Sequence, residues 1–214
     1  MAPTSAVFFD VANTLLHKPG LYPAISQVLG DAGIGIPEAV LASHHRFLSE
    51  AIEFPDRTSR AFYGVFNAQL LRSLGVAVDA ELLDAMYQAC SYLPWAPFDD
   101  VVHLSTLRQP LGVLSNWDIT LSEKLTGLTG LSFRWILGSQ DQQLRKPDPA
   151  FFAKLLDCTQ CAPEEVVFVG DSVRLDVEPA LRLGIRAYLI DRNDSYPHGN
   201  LPRLRSLAEL DGVL

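Results

Sequence analysis

The sequence predicts an α/β protein in which a parallel sheet is interrupted, after its first strand, by an inserted helical unit. Two observations carry this. Five short apolar runs rich in β-branched and aromatic residues recur along the chain, with amphipathic stretches between the later ones. Between the first run and the second, from Leu21 to Tyr92, nothing has strand character. With 214 residues, 48% hydrophobic and 20% charged, the chain has the apolar content for a buried core, which excludes disordered, collagen-like and fibrous readings.

The expected strands are Ala6–Asp10, Leu111–Ser115, Arg134–Gly138, Val166–Gly170 and Arg186–Ile190. Amphipathic stretches at Ile119–Leu128, Pro149–Cys158 and Val173–Leu183, the last stopped by Gly184, alternate with them as crossover helices. Functional groups are then expected at the C-terminal ends of the strands. Within the insertion, Leu21–Ala32, Pro37–Glu53, Thr58–Leu74 and Asp79–Tyr92 carry apolar residues at helical spacing. In the third of these, Phe62, Val65, Phe66, Leu70 and Leu74 fall on or near one face. Breaks at Gly33-Ile34-Gly35, Phe54-Pro55-Asp56 and Gly75 divide a four-helix bundle, bounded by the stiff segments Lys18-Pro19-Gly20 and Leu93-Pro94-Trp95-Ala96-Pro97. The expected domains are a catalytic core of residues 1–17 and 95–214 and a mobile helical cap of residues 18–94.

Asp and Glu number 25 against 17 Lys and Arg, a net charge of −8 that repels nucleic acid and anionic lipid. No uncharged run is long enough to span a membrane, and Met1 to Phe9 has no leader character, so a cytoplasmic location is expected. Three cysteines, Cys90, Cys158 and Cys161, are too few for a disulfide framework and fit a reducing compartment. Cys158 and Cys161 have half a zinc-site spacing, but no second pair or suitably placed His completes it. The large aromatics to inspect for an exposed patch are Trp95, Trp117 and Trp135.

Four segments carry chemistry. In Phe8-Phe9-Asp10-Val11-Ala12-Asn13-Thr14-Leu15, a carboxylate ends a buried strand and a polar turn follows. Leu111-Gly112-Val113-Leu114-Ser115-Asn116 ends in a hydroxyl and an amide, groups that hold a phosphoryl oxygen without adding charge. Arg145-Lys146-Pro147-Asp148-Pro149 places a cation just before a proline-started helix. Val166-Val167-Phe168-Val169-Gly170-Asp171-Ser172 delivers a second carboxylate, and Asp176 follows about a helical turn on; hard oxygen ligands of this kind suit Mg²⁺.

In this order, around an insertion after the first, these segments resemble the haloacid dehalogenase-like hydrolase superfamily, in its helical-cap subgroup. The resemblance covers nearly the whole chain. It implies a Rossmann-like core with Asp10 as nucleophile, Thr14 and Ser115 (with Asn116 beside it) contacting the transferred group, and Lys146 bridging nucleophile and substrate. It further implies Mg²⁺ held by Asp10, Asp171 and the main-chain carbonyl of Ala12, with Asp176 as an indirect ligand, and a small phosphorylated molecule as substrate. A carboxylate attacks a phosphate dianion poorly until cations cancel their repulsion, which Mg²⁺ and Lys146 would supply.

One position departs from the pattern of phosphatases in this superfamily, which carry a second Asp two residues after the nucleophile as acid and base. Here Ala12 stands there and moves no proton. A contribution of about 10²–10⁴ in rate is then missing unless another group supplies it, and His17 is the nearest titratable candidate. His44, His45, His103 and His198 have no motif neighbours, and Arg46, Arg57 and Arg60 are cap cations able to meet an anionic substrate. The leading expectation is a Mg²⁺-dependent phosphatase or phosphotransferase. Ala12 keeps two alternatives in view: a 2-haloacid dehalogenase, whose halide leaves without a proton, and a weakly active member retained for binding. Phosphonate cleavage would by resemblance need a Schiff-base lysine in the cap, and only Lys18 lies between the first two motifs.

Overall fold

Asp10 follows the central strand of a six-stranded, all-parallel sheet in the computed structural model, which describes residues 3–214. Met1 and Ala2, the start of the N-terminal segment read above, lie outside the described residues. The strands are β1 (Ala6–Phe9), β2 (Leu111–Ser115), β3 (Trp135–Gly138), β4 (Val166–Gly170), β5 (Arg186–Ile190) and β6 (Arg203–Leu204). Their order is β3-β2-β1-β4-β5-β6, so the chain builds outward on one side of β1 and then on the other. That reversal opens a crevice at the C-terminal end of β1, where open α/β sheets bind ligands. Phe9 pairs with Val113 on one side and Val169 on the other, which sets Asp10 between the ends of β2 and β4. β1, β2 and β4 are buried at every residue, as continuous apolar runs covered on both faces should be.

The two compact units of the chain are residues 3–17 with 97–214, and Lys18–Ala96. In the first, Phe8, Phe151, Phe152 and Phe168 lie in one fully buried cluster, with Phe8 stacked on Trp135 at 5.5 Å. Gly112 makes room for this, because a Cβ there would stand 2.4 Å from the Phe8 ring. The second unit contains α1 (Leu21–Asp31), α2 (Glu38–Ala51), α3 (Arg60–Ser73) and α4 (Ala80–Cys90). Ile25, Leu29, Leu41, Leu70, Leu71 and Met86 form its core. Ser59 and Asp79 cap α3 and α4 through their side chains, and Gly33 and Gly75, at φ of 76° and 74°, end α1 and α3 in a conformation that costs other residues strain.

Returning to the first unit, α5 (Leu121–Thr129), a short α6 (Ser139–Gln142) and α7 (Pro149–Thr159) follow β2 and β3. The stretch after β4 is not the uninterrupted amphipathic helix expected from Val173 to Leu183. It begins as a π-turn over Val173–Val177, with Val177 N–H bonded to the Ser172 carbonyl at 3.2 Å, and only then becomes α8 (Glu178–Arg182). One expectation about a helix face is corrected, and the tryptophans are placed. Val65 is 63% exposed, because α3 turns Phe66, Leu70 and Leu71 inward instead. Trp117 is buried and Trp135 stacks on Phe8, so the exposed large apolar side chains are others, Tyr92, Ile119 and Val102 among them. The three cysteines are free, and no helix among the described residues is long and apolar enough to cross a membrane.

A polar latch closes the first unit. Asp100, in the 3₁₀ turn Asp99–Thr106, accepts from Arg192 at 2.9 and 3.1 Å, from the Ser206 hydroxyl at 3.2 Å and from Leu207 N–H at 3.0 Å. Burial raises its pKa, but the Arg192 bond, the Leu207 N–H, the Arg192 charge and the Ser206 hydroxyl outweigh it and hold the carboxyl below its ordinary value. Such a group stabilises above its unfolded pKa of about 3.9 and loses that contribution as pH falls through the native value. Asp100→Asn is expected to lower the urea midpoint at pH 7, with the deficit shrinking below about pH 4; a deficit independent of pH would contradict this. Gly112→Ala is expected to cost about 1–3 kcal/mol by forcing the Phe8 ring aside, measured by chemical denaturation.

Candidate active site

The turn after β1 is built tightly. Asp10 N–H donates to the Val169 carbonyl at 2.9 Å, which ties it to β4. The Val11 carbonyl then accepts from Thr14, Leu15 and Leu16, and Asn13 takes φ of 59°, a left-handed conformation that Asn tolerates better than most residues. Ala12 bridges to Leu16 across this turn. Thr14 is fully buried, and its hydroxyl oxygen has no hydrogen-bond partner in the protein. A buried hydroxyl left in this way costs stability.

Three chain segments converge on one buried charge cluster. Lys146, 2% exposed, places Nζ 2.5 Å from Asp10 Oδ1 and 2.6 Å from Asp176 Oδ1. The Ser115 hydroxyl donates to the same Asp10 Oδ1 at 3.0 Å. Asp10 Oδ2 accepts no hydrogen bond from the described residues. Burial would lower the Lys146 pKa, but the charges of Asp10 and Asp176 and their hydrogen bonds raise it above its ordinary value, so the ammonium persists. Burial pushes Asp176 above the usual carboxylate range; Lys146 opposes that rise and Asp10 adds to it.

Asp10, Asp171 and Asp176 each offer a carboxylate oxygen within 4.8 Å of the others. Three carboxylates around one ammonium leave an excess of negative charge in a largely buried place. A hard divalent cation fits that donor set. Asp176 is set by backbone as well as by Lys146. Its Oδ2 accepts from Ser172 N–H at 3.0 Å, and its carboxyl carbon packs where a Cβ on Gly170 would stand, 2.3 Å away. The π-turn and the glycine before Asp171 therefore have one cause, close seating of the Asp176 carboxylate against the end of β4. The expectation of a plain helix missed this.

Asn116 is placed differently from the expectation that it lies beside the transferred group. Its Oδ1 accepts from Lys146 N–H at 2.8 Å and its Nδ2 donates to the Lys146 carbonyl at 3.0 Å. Both ends of the amide thus hold the Lys146 main chain, just before Asp148 caps α7 on Ala150 N–H. His17 stacks on Phe98 with ring centroids 4.0 Å apart. Burial lowers its pKa, the charge of Arg192 lowers it further and Asp99 opposes, so the ring is neutral near pH 7 and poorly suited to donate a proton. In the helical unit, His44 meets the Ser73 hydroxyl at 3.1 Å, and His45 packs against Tyr22 and Phe66, where burial pushes it down to about 4. Arg60 pairs with Asp84 and lies over Tyr87.

A family model described as haloacid dehalogenase-like hydrolase matches residues 4–184. Haloacid dehalogenase-like hydrolase domain-containing protein 3 of Danio rerio is 33% identical over 144 residues; the match takes in 62% of this chain and 60% of that protein's length. Phosphoglycolate phosphatase of Pseudomonas putida is 36% identical over 202 residues, 90% of this chain and 71% of that protein. The magnesium-bound HAD-hydrolase YfnB of Bacillus subtilis has the same fold, with a TM-score of 0.66, 20% identity and 99% of each chain covered.

Gly170→Ala is expected to displace the Asp176 carboxylate and lower affinity for a divalent cation by about 10–100-fold, read by calorimetry with Mg²⁺ or Mn²⁺. Unchanged affinity would show that Asp176 has no part in holding the cation.

Proposed function

The chain belongs to the haloacid dehalogenase-like hydrolase family, and from that premise we propose that it is a Mg²⁺-dependent phosphatase or phosphotransferase acting on a small phosphorylated metabolite. One observation carries the reading: the Lys146 ammonium is buried between Asp10 and Asp176, with Asp171 completing an acidic cluster 4.8 Å across. The side chains of Asp10 and Asp171 and the carbonyl of Ala12 would hold the ion. Asp176, already bound to Lys146, would act indirectly. When bound there, Mg²⁺ would offset the charge of the phosphoryl group and of the attacking carboxylate.

The residues divide the remaining work. Asp10 Oδ2 attacks phosphorus, the leaving-group oxygen departs, and an aspartyl phosphate forms that water cleaves to phosphate and free Asp10. Lys146 and the Ser115 hydroxyl hold Oδ1, which fixes the carboxylate's angle of attack. The Thr14 hydroxyl, buried and without a partner, receives a phosphoryl oxygen. Asn116 acts through the Lys146 backbone. The net charge of −8 and the three free cysteines support a small-molecule substrate in the cytoplasm, with no nucleic-acid or membrane partner.

Ala12 decides which phosphates turn over well. An alkyl phosphate leaves as a basic alkoxide that needs a proton, whereas an aryl or acyl phosphate departs without one. The same residue favours a second reading, 2-haloacid dehalogenase, since halide needs no proton either; the acidic cluster is what ranks it second. Asp10→Asn is expected to abolish turnover of the best phosphate found while leaving the melting curve cooperative. Near-wild-type turnover would refute the assignment. Ala12→Asp is expected to raise turnover of alkyl phosphates by about 10²-fold or more and of nitrophenyl phosphate much less. Halide release from 2-chloropropionate by the wild type, impaired in Ala12→Asp, would put the second reading first.

A further inference from the structure

Arg192, two residues beyond the end of β5, reaches back to the turn that carries the nucleophile. Its Nη2 donates to the Thr14 carbonyl at 2.9 Å and its Nη1 to the Asn13 carbonyl at 3.3 Å. Among the described residues no other group donates to either carbonyl. The opposite side of the guanidinium grips Asp100, with Nε on Oδ2 and Nη2 on Oδ1. Its plane lies 3.9 Å over the Phe98 ring, which in turn stacks on His17. Asp100 is itself fixed by Ser206 and Leu207, so the arginine is held from behind while it holds the turn in front.

We propose that Arg192 is a positioning residue for the reaction: it fixes the two peptide planes flanking Thr14 and thereby sets the Thr14 hydroxyl, and the Ala12 carbonyl before it, relative to Asp10. The need arises from the turn itself. Asn13 sits in the left-handed region, and the Asn13 and Thr14 carbonyls both take their hydrogen bonds from Arg192, so without that donor their peptide planes lose this anchor. A planar fork with several donors spans two carbonyls and a carboxylate together; a lysine ammonium, a point charge, does not. The inference rests on the phosphatase reading for its kinetic part alone.

The experiment compares Arg192→Lys with Arg203→Met in the full chain. Arg203 bonds Asp191 and Asp194 at 3.0 Å each and has no bond to the nucleophile turn, so it reports the cost of losing a nearby ion pair. Arg192→Lys is expected to lower kcat for nitrophenyl phosphate by about 10–100-fold with KM little changed, whereas Arg203→Met keeps kcat within about twofold even where its melting temperature falls further. Independently of turnover, amide exchange at Asn13, Leu15 and Leu16 should accelerate in Arg192→Lys relative to amides of β1 and β4. A wild type without phosphatase activity would sink the proposed function and leave the exchange comparison to decide this one. Unchanged exchange at the turn, or equal loss of kcat in both variants, would overturn it.

Discussion

The Lys146 ammonium, held 2.5 Å from Asp10 and 2.6 Å from Asp176, is the interaction on which the rest of the site depends. Burying three charges is costly, and an ion pair of this kind is rarely the most stable way to fill a core. The fold accommodates it by bringing together three remote segments under backbone control. β1 carries Asp10 to the crevice where strand order reverses. Asn116, at the end of β2, grips the main chain of Lys146 from both sides. The π-turn after β4 lets Asp176 seat against Gly170 and take the Ser172 N–H. The cluster stays anionic overall, and that residual charge is what suits it to a divalent cation.

The centre of the sheet was legible in the sequence because its strands are buried on both faces: runs such as Val166–Gly170 carry no alternation and are bounded by clear breaks. Strand β6, two residues long, is too short to carry any pattern, and only its pairing with Leu189 and Ile190 defines it. The four carboxylate, hydroxyl and lysine segments could be ordered from sequence, but their division of labour could not. That Asn116 serves Lys146 depends on a contact between residues thirty positions apart. The π-turn depends on where the Asp176 carboxylate seats, a tertiary effect that overrides an amphipathic pattern. Val65 shows the limit of helical periodicity, since a stripe read from spacing alone does not say which of its margins faces the core.

Ala12 is the point where sequence and site together constrain chemistry most. His17, the nearest titratable substitute, is stacked on Phe98 and pushed toward its neutral form by burial and by Arg192. The main-chain carbonyls of the turn are largely devoted to shape: that of Val11 takes three N–H groups, and those of Asn13 and Thr14 go to Arg192. In the proposed reaction, a site without an acid at position 12 would favour substrates whose leaving group departs unaided.

In the proposed reaction Asp10, steadied by Lys146, forms a covalent phosphoryl intermediate. Rapid quench of the enzyme turning over acetyl phosphate in Mg²⁺, followed by borohydride reduction and peptide mass mapping, would reveal it. Asp10 alone is expected to be converted to homoserine, and only when substrate and Mg²⁺ are both present. Turnover at a steady rate with Asp10 recovered unmodified at every quench time, or conversion at another carboxylate, would contradict it.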